Sequence, residues 1–110
     1  MIEETLAGVV ERFNRHGDRN PAVRAELEGF ERTIRIRLTD AGTYAVDLHS
    51  GRLVNLRSDG TGKADLTITT DQSTLLGLVS KEIGPMKALV TRKLAIDGSL
   101  EDKLLFRKLL

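Results

Sequence analysis

Ile2, Leu6, Val9, Val10 and Phe13 recur at the spacing of one helix face, while Glu3, Glu4, Glu11, Arg12 and Arg15 fall around the rest of the turn. The pattern predicts an amphipathic helix that stops near His16-Gly17. Asn20 then supplies an N-cap, and Pro21 a first helical residue, for a second and shorter helix ending before Gly29. From Phe30 the period changes to two. Ile34, Ile36 and Leu38 face one way and Thr33, Arg35 and Arg37 the other, the alternation of a half-buried strand. Asp40-Ala41-Gly42 carries turn chemistry, Tyr44, Val46 and Leu48 restart the alternation, and Ser50-Gly51 turns the chain into Leu53-Val54-Asn55-Leu56. Three strands joined this tightly predict an antiparallel meander.

Beyond the polar loop Ser58-Asp59-Gly60-Thr61-Gly62-Lys63, the segment from Ala64 to Thr70 alternates again through Leu66 and Ile68. Asp71 can cap a helix bearing Leu75, Leu76, Leu78 and Val79, and Gly84-Pro85 opens a short one through Met86, Leu89 and Val90. Arg92 to Asp97 reads as a further strand, and Gly98 turns. Ser99-Leu100-Glu101-Asp102 resembles an N-cap with an acidic residue three positions on, so the last segment is a helix. This order of elements predicts an α+β fold, a sheet with helices packed on one face. No repeat and no linker divides the 110 residues, which are expected to form one domain.

Composition narrows the chemistry. With no Cys there is no disulfide, thiolate metal site or thiol nucleophile, and the two histidines, His16 and His49, stand far apart in sequence. No metal site and no cofactor is expected. No apolar run approaches the roughly 20 residues of a membrane span, and Met1-Ile2-Glu3-Glu4-Thr5 lacks the basic start of a secretory signal, so the expected compartment is the cytoplasm.

The C-terminal helices carry more aliphatic residues than one buried stripe holds. Leu100, Leu104, Leu105, Phe106, Leu109 and Leu110 spread too widely around a helix to share one face. The surplus appears earlier as well, in Leu75-Leu76, Leu78-Val79, Ile83, Met86 and Leu89-Val90. Its partner is a subunit, a membrane surface, a further segment of chain or an apolar ligand.

Ala64-Asp65-Leu66-Thr67-Ile68-Thr69, an aliphatic helix, Pro85-Met86-Lys87-Ala88-Leu89, Lys93-Leu94-Ala95-Ile96-Asp97-Gly98 and a final leucine-rich helix follow one another in an order that resembles the sterol carrier protein 2 family. The likeness is most specific from Ala64 to Leu110. It implies a five-stranded, mostly antiparallel sheet covered on one face by helices, with an apolar tunnel that takes a fatty acid, a fatty acyl-CoA, a phospholipid or a sterol. It also implies a compact, stand-alone microbial member, for which sterol itself is a poor first ligand. Arg92 stands where the family pattern has a Gly before the Lys-Leu pair, and Lys81 where it has a Gly after the aliphatic helix. These departures bear on tunnel shape and ligand identity more than on fold.

A tunnel of this kind needs no catalytic group, since each methylene removed from water contributes about 0.8 kcal/mol. The residues expected to line it are Leu75, Val79, Ile83, Met86, Val90, Leu105 and Leu109, with the thioether of Met86 able to adapt to different ligands. Lys87, Arg92 and Lys93, with Lys81, are the cations placed to meet a polar headgroup. Transient contact of the first helix with an anionic membrane through Arg12 and Arg15 is weakened by Glu3, Glu4 and Glu11.

Three other functions compete with this one. Asp47, His49 and Ser50 can be written as an acid, base and nucleophile, but Ser50-Gly51 reads as a hairpin turn, and no oxyanion hole is apparent. Asp59-Gly60-Thr61-Gly62-Lys63 lacks the strand and helix that flank a phosphate-binding loop. Arg32, Arg35, Arg37, Arg52 and Arg57 could contact phosphates, yet aromatic residues are 4% of the chain and the net charge is +1, so no nucleic-acid partner is expected. The remaining alternative is a homodimer or protein-interaction module built on the leucine-rich last helix. Replacing Leu105 and Leu109 by Gln separates this interface from a lipid tunnel. Lower lipid uptake with an unchanged oligomer, read by native mass spectrometry, is the expected result, and release of a monomer from a dimer would assign the face to an interface.

Overall fold

The computed structural model describes residues 2–58, 62–80 and 82–109, with the side chains of 79, 85 and 105–109 outside that description. In chain order the elements are α1 (Ile2–Arg19), α2 (Pro21–Leu27), β1 (Arg32–Leu38), β2 (Gly42–His49), β3 (Arg52–Ser58), β4 (Leu66–Thr70), α3 (Gln72–Val79), α4 (Pro85–Val90), β5 (Ala95–Gly98) and α5 (Leu100–Leu109).

The first helix runs past the expected stop. Gly17 is buried inside it, under the Arg24 side chain, and the helix continues to Arg19. Asn20 then occupies the N-cap position of α2, but its side chain makes no capping bond there. It donates instead to the His16 carbonyl at 2.9 Å, so this side chain closes α1 rather than opening α2.

The hairpins follow from backbone chemistry. Ser50 and Gly51 both have positive φ, 50° and 78°, between the paired residues His49 and Arg52, the signature of a two-residue type I′ turn. Gly51 has a second reason to lack a side chain: a Cβ there would lie 2.9 Å from the Arg24 carbonyl oxygen, because α2 rests on the turn. Across β2 and β3 the register shifts between Ala45 and Asp47, where Asn55 takes a left-handed φ of 58°.

The sheet order is β3-β2-β1-β4-β5. The meander of β1, β2 and β3 is antiparallel as expected, whereas β4 joins the other side of β1 in parallel, pairing Ile34 with Leu66 and Ile36 with Ile68. β5 adds to β4 antiparallel. The pleat then sends Ile34, Val46, Leu48, Leu66 and Ile68 to one face. There they form the core with Leu27 of α2 and Ala88 of α4, and Val10, Phe13 and Leu78 pack against it. A second cluster joins Leu6 of α1 to Leu38 and Tyr44. Among the described residues no helix is long and apolar enough to cross a membrane.

The last strand starts at Ala95, three residues later than the alternation suggested. Arg92 and Lys93 belong to the end of α4: Lys93 N–H donates to the Ala88 carbonyl at 2.9 Å and Arg92 N–H to that of Leu89 at 3.1 Å, the paired bonds of a Schellman turn. Arg92 sits at its left-handed position, with φ of 62°, where glycine is unstrained. Arg92→Gly is therefore expected to raise stability by about 1 kcal/mol, seen as a higher denaturant midpoint with an unchanged slope.

Candidate functional site

Helices α3, α4 and α5 carry the side chains on which a lipid-binding role was expected to rest. The Asp71 carboxylate opens α3 by accepting the Thr74 N–H at 2.7 Å. That bond holds its carboxyl below the usual range, with Lys93 adding a smaller Coulombic contribution. Asp40 accepts the Gln72 N–H at 3.1 Å, which ties the same helix end to the β1–β2 turn. From this start Leu75 reaches the cluster of Leu6, Leu38 and Tyr44, and Leu78 the main core, while Leu76 stays exposed.

The link from α3 to α4 folds back tightly. Ile83 N–H donates to the Gly77 carbonyl at 3.0 Å, and a Cβ on Gly77 would overlap the Ile83 side chain. Ile83 is thereby laid against the main core. In α4 the fully buried Ala88 fixes which way the helix faces. At 100° per residue, Met86 and Val90 lie on the opposite side, and they are 70% and 74% exposed. Leu89, on the flank, is exposed as well.

Helix α5 is held by ion pairs. Ser99 Oγ accepts the Asp102 N–H at 3.1 Å, half of the expected capping arrangement. The Asp102 carboxylate is turned elsewhere, accepting Arg32 Nε at 2.6 Å, while Glu101 accepts Arg32 Nη2 at 3.0 Å. Arg32 also lies 5.3 Å from the centroid of the Phe30 ring. The Asp102 hydrogen bond raises the pKa of this guanidinium above its ordinary value. Asp102 is buried, so the pair works in a poorly solvated setting where charge attraction is strong. Leu100 and Leu104, one turn apart on the same helix, are both exposed.

Of the residues expected to line a tunnel, the structure thus brings Leu75 and Ile83 inward and turns Met86 and Val90 to solvent. The side chains of Val79, Leu105 and Leu109 lie outside the described residues, as does Lys81. Lys87, Arg92 and Lys93 are exposed around the end of α4. Two clefts open elsewhere: one of about 370 Å³ between α1 and β3, over Val10, Asn14, Arg52 and Leu56, and one of about 470 Å³ on the open face of the sheet. Leu75, Ile83, Met86, Val90, Lys87, Arg92 and Lys93 border neither cleft.

The open face also shows what became of the Asp47, His49 and Ser50 set. Asp47 accepts from Thr33 Oγ1 and Asn55 Nδ2, both at 3.2 Å, and pairs with Arg57 at 3.3 Å. His49 Nδ1 lies 2.8 Å from Glu31, and Ser50 is in the turn, so no base stands between acid and hydroxyl. Of the arginines that suggested a phosphate surface, Arg32 faces the helices and Arg52 pairs with Asp18 at 2.8 Å. Residues 59–61 of the glycine-containing loop lie outside the described residues. Among the described residues no group of three or more acidic or imidazole side chains is arranged to hold a metal ion.

The model of the SCP-2 sterol transfer family matches residues 11–110. The chain belongs to that family. Its fold is also that of several solved structures. A sterol carrier protein domain 2 from Helicoverpa armigera superposes with a TM-score of 0.65 at 15% identity, over 96% of this chain and 83% of that one. Sterol carrier protein 2 from Yarrowia lipolytica gives 0.58 at 14% identity, over 92% and 82%. A stereoselective inverting sec-alkylsulfatase from Pseudomonas sp. gives 0.65 at 22% identity, over 79% of this chain but only 14% of the much longer enzyme. Among curated proteins no sequence match is found.

Two features of the family fold in this chain had no clear sequence signal. The Asn14 side chain both donates to the Leu53 carbonyl and accepts the Leu53 N–H, each at 2.8 Å, as a neighbouring strand would. Arg32 and Asp102 meet across 70 positions, and nothing local marks either as the other's partner. Asp102→Ala leaves the Arg32 guanidinium without its closest carboxylate and is expected to cost about 2 kcal/mol. Hydrogen exchange should accelerate first in α5. Uniform acceleration across the sheet would show that the pair does not anchor this helix in particular.

Proposed function

We propose that this chain binds one long-chain lipid between its sheet and helices α3, α4 and α5, and that it does so without chemical catalysis. The observation that carries this reading is the exposed aliphatic surface shared by three consecutive helices: Leu76 on α3, Met86, Leu89 and Val90 on α4, and Leu100 and Leu104 on α5. These helices bury enough to hold the fold and still present these side chains to solvent. Membership of a sterol transfer family supports a lipid as that partner. In this reading Leu75, Val79, Ile83, Leu105 and Leu109 form the wall, and Met86 and Val90 the mouth. Lys87, Arg92 and Lys93 pair with an anionic headgroup such as a carboxylate or phosphate.

The energetics suit a carrier. An acyl chain gaining about 0.8 kcal/mol per buried methylene has enough driving force for micromolar binding after association costs. A helical wall tied to the sheet by a few contacts can open to exchange the ligand. Transfer between membranes and delivery to an enzyme both use this cycle.

Native mass spectrometry of the purified chain incubated with palmitic acid tests the proposal. A one-to-one complex that persists at high salt is expected, because apolar burial is insensitive to screening. Lys87→Gln combined with Lys93→Gln should weaken palmitate binding about fivefold to tenfold and leave hexadecanol binding unchanged. Apoprotein alone under all conditions would refute the reading.

A further inference from the structure

The ridge formed by Met86 and Val90 points away from the core on which α4 rests. Buried Ala88 fixes the helix, so both side chains stand in solvent four residues apart. Cations surround them. Lys87 lies on the flank of α4, and Arg92 and Lys93 follow at its end, all three exposed. Among the described residues none of the three is ion-paired; the described carboxylates nearest in sequence are Glu82, before the helix, and Asp97, in the strand beyond the turn. Asp71, which feels the charge of Lys93, is occupied with the Thr74 N–H. Arg92 adds a conformational argument. Its left-handed turn would be unstrained with glycine, so a long cationic side chain is held at this corner against backbone preference.

We propose that α4 and its C-terminal turn dock the protein on the surface of an anionic lipid bilayer. Met86 and Val90 enter the boundary of the acyl region, while Lys87, Arg92 and Lys93 meet lipid phosphates and carboxylates. The two features select this partner together. A second copy of the chain across a two-fold axis would bring like cations toward one another. A nucleic acid would answer the charge and leave the aliphatic ridge without a partner. An anionic leaflet satisfies both. Docking through this ridge would also set the mouth of the proposed lipid site at the membrane, although attachment itself requires no bound ligand.

Co-sedimentation of the full chain with vesicles, without added ligand, tests this. The probes are phosphatidylcholine alone and a roughly three-to-one mixture of phosphatidylcholine and phosphatidylserine. Each cation near an anionic leaflet contributes about fivefold, so a preference on the order of a hundredfold for the mixed vesicles is expected, and it should collapse at high salt. Met86→Gln with Val90→Gln should reduce binding to mixed vesicles about tenfold or more while the denaturation midpoint holds, since both side chains are exposed. Arg92→Gly, which relaxes the turn, should lose about fivefold. Equal binding to both vesicles, no binding, or undiminished binding by the Met86/Val90 double variant would overturn the proposal. A solution dimer that the double variant dissociates would do the same, by giving the ridge to a second copy. Because no ligand is added, none of these outcomes depends on whether palmitate is bound.

Discussion

The parallel pairing of β1 with β4 joins the two halves of this chain. Before it lie α1, α2 and a meander whose turns could form locally; after it lie α3, α4, β5 and α5, which have little sheet of their own. The pairing of Ile34 with Leu66 and Ile36 with Ile68 sets the parity of the combined sheet. A one-residue slip there would turn Leu66 and Ile68 to the open face and take the floor from beneath Ala88 and Leu78. The join is reinforced at both ends: Asp65 N–H donates to the Thr33 carbonyl, and Thr39 N–H to that of Thr70, each at 2.9 Å. Asp65 also accepts the Thr33 N–H through its carboxylate at 2.8 Å.

The helices are tied to this sheet by unequal means, and the inequality bears on function. On the N-terminal side, α1 packs Leu6, Val10 and Phe13 and adds polar bonds from Glu3 to Tyr44 and from Asn14 to the Leu53 backbone. The Asn14 bonds occupy backbone groups on an edge strand that would otherwise invite another chain. On the C-terminal side, Ala88 is the one fully buried residue among the described side chains of α4, and α5 is anchored at its first turn by Arg32. Met86, Leu89 and Val90 on α4 and Leu100 and Leu104 on α5 are left outside the core. Stability is therefore concentrated where α1 covers the meander, and in the proposed function a ligand exchanges on the other side.

Much of the fold was legible because period and turn chemistry are local. The alternation of Ile34, Ile36 and Leu38, the Ser50-Gly51 turn, the Asp71 cap and the Gly84-Pro85 start all act over a few residues, and the structure has them where the sequence put them. The misjudged ends depend on geometry that residue type does not announce. Gly17 continues α1 because Arg24 of the next helix covers it. Arg92 and Lys93 look like strand because a Schellman turn closed by arginine has no glycine to announce it. The candidate site was less legible for the same reason. Aliphatic content showed that α3, α4 and α5 carry a surplus, but which residues face in depends on a single buried alanine and on Ile83 folding over Gly77. Neither fact can be read from hydrophobicity alone.

That distinction changes how the surplus is understood. Leu75 and Met86 are alike in a composition count, yet one closes a cluster beneath α1 and the other stands in water beside cations that pair with no described carboxylate. An aliphatic residue turned inward adds to a wall whose value is paid in apolar area, whatever meets the outside. One turned outward among cations has value only against a partner that is both apolar and negative, and that combination occurs where acyl chains end and headgroups begin. A carrier whose mouth bears such a rim can let its lipid move between bilayer and wall without passing through bulk water, where exposure of each methylene would cost about 0.8 kcal/mol. The left-handed arginine that ends α4 lies beside the Met86 and Val90 ridge, so in the proposed docking a small conformational cost is placed where charge is most useful.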